Sequence, residues 1–130
     1  MAPAVDAPER PAFLRWMTFV PAAIYAMYTI RDFPERWVDG AEARKRLDDR
    51  AIARILACWR MMEADIHPAP HLLGTELSVL DVYAAVVSRW EPGRPTIAAE
   101  CPRLAGAVGL VDADPRLAAF WAERFPFEAA

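Results

Sequence analysis

Apolar residues recur every three or four positions through much of the chain, which is the pattern of amphipathic α-helices. The first such stretch predicts a helix from Glu9 to about Ile30, and Pro21 is expected to kink it near its middle. Trp37, in the connection that follows, is expected to pack back onto the helices. The predicted apolar face of this helix consists of Phe13, Trp16, Met17, Val20, Ile24, Met27 and Tyr28.

A second, longer helix is predicted from Gly40 to Ile66. Charged residues of mixed sign fill its first half, which indicates a solvated face. The helix ends at His67-Pro-Ala-Pro-His71, because two prolines in three residues cannot continue it. Its apolar positions fit a seam that faces other helices: Ile52, Ile55, Trp59, Met62 and Ile66.

The clearest sequence signal for a helix N-terminus is at Ser78 and Asp81, which are three residues apart and precede an apolar run. This spacing predicts a structural capping box, in which each side chain satisfies a free backbone N–H of the first helical turn. The capped helix is predicted to run from Ser78 to about Trp90, as the buried central helix of the domain.

Proline then divides the rest of the chain. Glu91-Pro-Gly-Arg-Pro95 is expected to end the capped helix, and two shorter helices are predicted at Pro102–Val111 and Asp114–Phe125. The expected fold is therefore an all-α bundle of five helices. It would occupy residues 9–126, after a linker-like segment at 1–8 and before a tail at 127–130.

Composition narrows the class of protein. Hydrophobic residues make up 55% of the chain and the net charge is −3, which favours a folded domain and argues against nucleic-acid binding. The uncharged stretch from Trp16 to Ile30 is shorter than the roughly 20 residues of a membrane span and contains a proline, so no membrane association is expected. Cys58 and Cys101 are expected to be reduced thiols in a cytoplasmic protein.

The residues alone do not define an active site. Neither serine lies in a nucleophile elbow, no glycine-rich phosphate loop is present, and Asp48 and Asp49 are adjacent rather than facing. His67 and His71 would need a helix to place both rings on one face, and the intervening prolines prevent that. No metal site and no catalytic residue are therefore predicted.

Four segments together resemble the all-helical C-terminal domain of bacterial glutathione S-transferases (GSTs). The run from Leu72 to Tyr83, followed by Ser88-Arg-Trp90, resembles the start and end of that domain's core helix. Phe13-Leu-Arg-Trp-Met-Thr-Phe resembles its first helix, and the repeated Pro-Arg-Leu after Cys101 and Asp114 resembles its last helices. The resemblance covers about residues 8–126.

The resemblance implies that this chain corresponds to only one of the two domains of such an enzyme. In that family an N-terminal thioredoxin-like domain carries most of the glutathione site and the catalytic residue, and no such segment occurs in this sequence. The resemblance therefore implies no resident cofactor, with glutathione as co-substrate only if the partner domain is present. By the same resemblance, the substrate-binding positions are Trp16, Thr18, Tyr25 and Trp90, while Ala23 stands where a hydrogen-bonding residue would be. Each of these residues can equally serve packing.

Two functions remain open at this point. The chain would supply the electrophile site and the dimer contacts of a GST-like protein, and be inactive without a thioredoxin-like domain. Alternatively it is a stand-alone helical interaction module without catalysis, which would expose an apolar face where another domain docks. A fragment of a longer protein is a third reading.

Overall fold

The computed structural model describes residues 1–125, and within them every regular element is helical. Residue 126 of the expected domain and the expected tail at 127–130 lie outside the described residues. The predicted all-α class is confirmed, and the arrangement fits a GST C-terminal-like domain. Within residues 1–125 there is no helix with the length and hydrophobicity needed to cross a membrane.

The first helix has three parts: α1 at Arg10–Phe19, a π-helical segment at Val20–Tyr25 and α2 at Ala26–Asp32. The irregularity predicted at Pro21 is thus a set of wide turns, in which the Ala26 N–H donates to the carbonyl of Pro21, five residues earlier. Proline has no N–H to give to an α-helical bond at this point.

The core positions of this helix explain why the wide turns are needed. Trp16, Val20, Ile24 and Tyr28 are all buried and follow one another at steps of four residues. In an α-helix four residues turn by about 400°, so three such steps would carry a side chain roughly 120° away from the core. The π-helical segment absorbs this rotation and keeps all four side chains on one face.

Helix α3 spans Ala41–Asp65 and supplies the fully buried Ile55, Trp59 and Met62 to the core. The predicted seam is confirmed there, with Ile52 only half-buried. The expectation for Trp37 is wrong: its side chain is 60% exposed, in the connection between a 3₁₀ turn at Pro34–Arg36 and α3. Gly40 begins α3 with φ of +84°, so the chain enters the helix by a sharp turn that leaves Trp37 outside the core.

Helix α4, at Val79–Val87, is the central helix, and it starts with the predicted capping box. The carboxylate of Asp81 is completely buried and accepts hydrogen bonds from the N–H of Ser78 at 2.9 Å and from the Ser78 hydroxyl at 2.6 Å. Its other oxygen accepts from the N–H of Leu72 at 2.7 Å. Asp81 therefore caps α4 and also fixes the loop that leads into it.

The N-terminal segment is held against the same helix end. The carbonyl of Met1 accepts a hydrogen bond of 2.7 Å from the N–H of Val79, and the carbonyl of Pro3 accepts one of 2.9 Å from Arg10. The first residues thus run from the start of α4 back to the start of α1.

One helix more than predicted follows α4. The stretch expected only to end a helix also begins α5 at Arg94–Glu100, with Gly93 at φ of +84° before it. Pro95 stands in the first turn, where its missing N–H is not needed. Counting α1, the π-helical segment and α2 as one helix, residues 1–125 contain six helices rather than five.

The last two helices begin near the predicted prolines. Helix α6 spans Pro102–Asp112, with proline at its first position as expected. Asp114 then caps a 3₁₀ turn at Pro115–Leu117 by accepting from the N–H of Arg116, and α7 follows at Ala118–Arg124. The indole N–H of Trp121 donates to the carbonyl of Val111, which ties α7 to α6.

Candidate functional site

A cavity of about 410 Å³ opens where the first helix ends beside the residues that follow α4. We call it the aromatic cavity, because three rings line it. The first helix contributes hydroxyl-bearing and charged side chains, and the residues after α4 contribute an indole and a carboxylate. The lining residues are Tyr25, Tyr28, Thr29, Arg31, Asp32, Trp90 and Glu91.

Trp90 is the centre of the ring cluster. Its ring centroid lies 5.4 Å from that of Tyr25 at an interplanar angle of 60°, and 5.2 Å from that of Tyr28 at 80°. The pair with Tyr28 is close to the edge-to-face geometry that aromatic quadrupoles favour, and the ring of Tyr25 is tilted against that of Trp90. Tyr25 is 43% exposed while Tyr28 is buried, so Tyr25 forms the accessible side of the cluster.

Tyr28 holds the two sides of the cavity together. Its hydroxyl donates a 2.8 Å hydrogen bond to the carbonyl of Glu91. Burial raises the pKa of Tyr28 to about 12, with Arg31 acting against this rise and Glu91 adding to it. Tyr28 therefore stays a neutral phenol near pH 7, and its hydroxyl proton is used in the hydrogen bond to the loop after α4.

The charges around the cavity are not balanced. Arg31 is largely buried and forms an ion pair with Asp48 of α3, and this hydrogen bond, with other local interactions, raises the Arg31 pKa. Asp32 and Glu91 form no ion pair with any of the described residues. With the charge of Arg31 taken up by Asp48, the lining carries an excess of negative charge.

The predicted substrate-binding residues do not all meet. Tyr25 and Trp90 lie together in the aromatic cavity. Thr18 is exposed on α1 and does not line the aromatic cavity, and its hydroxyl donates to the carbonyl of Leu14 at 2.9 Å. Trp16 is buried against Phe19 and borders a separate cavity of about 170 Å³. Ala23 is half-buried, and its carbonyl accepts a contact of 3.7 Å from the thiol of Cys58.

The other lining residues are not predicted as site residues from the sequence: Tyr28, Thr29, Arg31, Asp32 and Glu91. Tyr28 stands three residues after Tyr25 and was assigned to the core, which is where its ring is buried. The signal that could have exposed its second role is a buried tyrosine in an otherwise apolar stripe, because a buried hydroxyl needs a partner. That partner, the carbonyl of Glu91, lies 63 residues away and could not be identified from local sequence.

A cavity of similar size, about 400 Å³, lies between the N-terminal segment and the loop before α4. Its lining includes Ser78, Thr75 and Glu76, together with the first residues of the chain, and contains no aromatic ring. Among the predicted positions only Ser78 borders it, and the hydroxyl of Ser78 is already bonded to Asp81.

The cysteines and histidines do not form a reactive centre. Cys58 and Cys101 are buried free thiols, and burial raises the pKa of both, that of Cys101 to about 11. Both therefore stay protonated near neutral pH and do not act as thiolates. His67 lies 3.3 Å from a guanidinium nitrogen of Arg103, and across residues 1–125 no three potential His, Cys, Asp or Glu ligands converge.

The all-helical fold fits a GST C-terminal-like domain. Comparison with known proteins agrees. The chain is 28% identical over 93 residues to "Uncharacterized GST-like protein YncG" of Escherichia coli (strain K12). The match covers 72% of this chain but 44% of the relative, so the chain spans less than half of that protein's length. No family model matches the chain. No solved structure matches it either.

Proposed function

We propose that this domain binds an apolar electrophile in the aromatic cavity and that glutathione transfer needs a thioredoxin-like domain in addition. The observation that carries the proposal is the meeting of Tyr25 and Trp90, with centroids 5.4 Å apart, in an open cavity of about 410 Å³. Apolar and aromatic walls with a few polar groups are typical of small-molecule sites.

The groups described in the cavity do not favour thiol activation. A thiol becomes a thiolate near neutral pH when a donor or a positive charge stabilises the anion. The Tyr28 proton is bonded to the Glu91 carbonyl, and the Arg31 guanidinium is paired with Asp48. The free carboxylates of Asp32 and Glu91 would instead repel a thiolate. The catalytic half of the reaction is thus assigned to a separate domain.

The test is a calorimetric titration of the chain with a chlorodinitrobenzene, together with a conjugation assay in the presence of glutathione. We expect saturable binding that Tyr25→Ala weakens by about tenfold, since the open side of the ring cluster is lost (about 1.4 kcal/mol). The matched control is Phe33→Ala, because Phe33 is also 43% exposed but does not line the cavity. We expect no glutathione conjugation above the uncatalysed rate.

Either of two outcomes would contradict the proposal. Equal binding by the parent and Tyr25→Ala would show that the electrophile does not bind in the aromatic cavity. Conjugation by the isolated chain that Tyr25→Phe abolishes would show that the chain activates the thiol by itself.

A second candidate function is association through the outer face of α1 and α4. Leu14 is 50% exposed and Val79 37% exposed, and Val82, Tyr83 and Val86 of α4 are only half-buried. Apolar residues grouped on one face mark surfaces that associate. We propose that a second copy of the chain or a thioredoxin-like domain covers this face.

Light scattering coupled to size-exclusion chromatography tests this second candidate. At tens of micromolar we expect a dimer, and Leu14→Ser should shift it toward monomer because it removes exposed apolar surface from the face. Leu110→Ser is the matched control, since Leu110 is 49% exposed on α6 and should leave the mass unchanged. A monomeric parent would contradict self-association and leave a different folded domain as the partner to test.

A further inference from the structure

The aromatic cavity combines ring faces with unpaired negative charge. Tyr25, Tyr28 and Trp90 form one cluster, and the carboxylates of Asp32 and Glu91 stand at its border. Ring faces carry the negative part of the aromatic quadrupole and attract cations, most strongly for Trp and then Tyr. An uncharged ligand gains nothing from the two carboxylates and would be held by the rings alone.

From this combination we infer that the aromatic cavity selects ligands that carry a positive charge, in the form of an organic ammonium group. The inference deepens the proposed function, on which it rests for the location of the ligand, by placing one ammonium group on the otherwise apolar electrophile. The ammonium group lies against the faces of Tyr25 and Trp90, and Asp32 and Glu91 provide the opposite charge.

The one cation in the lining does not cancel this preference. The side chain of Arg31 is 16% exposed, and its guanidinium is turned to Asp48, with a second nitrogen 3.5 Å from the other carboxylate oxygen. Its charge is therefore paired chiefly with Asp48 of α3, and it also interacts electrostatically with Glu91. Three carboxylates, those of Asp32, Asp48 and Glu91, surround this one guanidinium, so a ligand in the cavity still meets an excess of negative charge.

Tyr83 lies near Tyr25 but does not line the cavity. It is half-buried on α4, and burial together with the neighbouring Tyr25 raises the pKa of its hydroxyl. The Tyr83 phenol thus remains neutral near pH 7, and the face of its ring attracts a cation through the aromatic quadrupole.

A pair of ligands of the same shape separates charge from apolar contact. Choline and 3,3-dimethylbutan-1-ol differ in having nitrogen or carbon at the centre of three methyl groups, so only choline is charged. In calorimetric titrations of the full chain at low salt, we expect choline to bind at least ten times more tightly. Tyr25→Ala should lower choline affinity by about tenfold, and Tyr25→Phe should keep it, because the ring face is retained.

The carboxylates are tested by Glu91→Gln and Asp32→Asn, each expected to weaken choline about threefold without changing the affinity for the neutral alcohol. Glu35→Gln is the control, since Glu35 is a nearby acid that does not line the cavity. Equal affinity for both ligands would overturn the inference and leave the apolar site of the proposed function intact. Absence of choline binding at millimolar concentration would also overturn it, whereas choline binding without electrophile binding would overturn the proposed function.

Discussion

Replacing Asp81 by alanine should lower the free energy of unfolding by about 3 kcal/mol, because three hydrogen-bond donors lose their acceptor inside the protein. These donors are the N–H groups of Leu72 and Ser78 and the hydroxyl of Ser78, at 2.6–2.9 Å. Leu72 and Ser78 are 2% and 4% exposed, so water cannot easily replace the carboxylate. Urea unfolding followed by circular dichroism measures the loss as a lower midpoint at unchanged slope.

Two further variants separate the contributions to this site. Ser78→Ala keeps the carboxylate and its bonds to the backbone, so the expected loss is only about 1 kcal/mol. Asp81→Asn should lie between the two, because its amide NH₂ would face the donors of Ser78. As a control, Asp49→Ala removes an exposed carboxylate paired with Lys45 and should leave the midpoint unchanged. If Asp81→Asn were as stable as the parent, the carboxylate would not hold these groups.

Glu63→Ala should cost about 2 kcal/mol, since it removes the cap of a different helix. Glu63 lies on α3, but its two oxygens accept from the N–H groups of Arg103 at 3.0 Å and Leu104 at 2.8 Å, in the first turn of α6. Cys101, at the N-cap position itself, makes no side-chain hydrogen bond to that turn. Leu104 is fully buried, so the same contact fixes how α6 packs on α3.

Native-state hydrogen exchange tests this cap directly, because it measures the protection of the capped amides. In Glu63→Ala the amides of Arg103 and Leu104 should lose protection, and in Glu63→Gln the loss should be smaller because one oxygen remains. Glu100→Ala is the matched control: Glu100, at the end of α5, pairs with Arg60 of α3, but the pair is exposed and contributes little. Unchanged protection of both amides in Glu63→Ala would show that α6 is capped in another way.

These two caps show what could be predicted from the sequence and what could not. Ser78 and Asp81 are three residues apart, so their contact is local and the sequence pattern predicts it. Glu63 and Leu104 are 41 residues apart, and only the packing of α3 on α6 brings them together. The extra helix α5 was missed for another reason: proline both ends helices and starts them, and the sequence does not distinguish these roles within Glu91–Pro95.

The same distinction applies to the aromatic cavity. Tyr25 and Trp90 were proposed from a family resemblance, and the structure places their rings in contact, although binding by these residues stays a prediction. Trp16 and Thr18 are predicted in the same way and lie elsewhere: Trp16 is on the same face as Tyr28 but on α1, where it borders another cavity, and Thr18 is exposed. The acidic border formed by Asp32 and Glu91 depends on where the end of α2 meets the loop after α4, which no local pattern specifies.

The π-helical segment also determines where the chain tolerates a change in length. Trp16 and Tyr28 lie on one face of the first helix. The stretch from one to the other is about one residue longer than three turns of regular α-helix. Deleting a single residue within Val20–Tyr25 would close the wide turns into regular α-helix and leave both ends of the helix in place. A deletion in the middle of α3 would instead rotate every later residue of that helix by about 100°. Single-residue insertions and deletions among proteins of this fold should therefore collect in Val20–Tyr25.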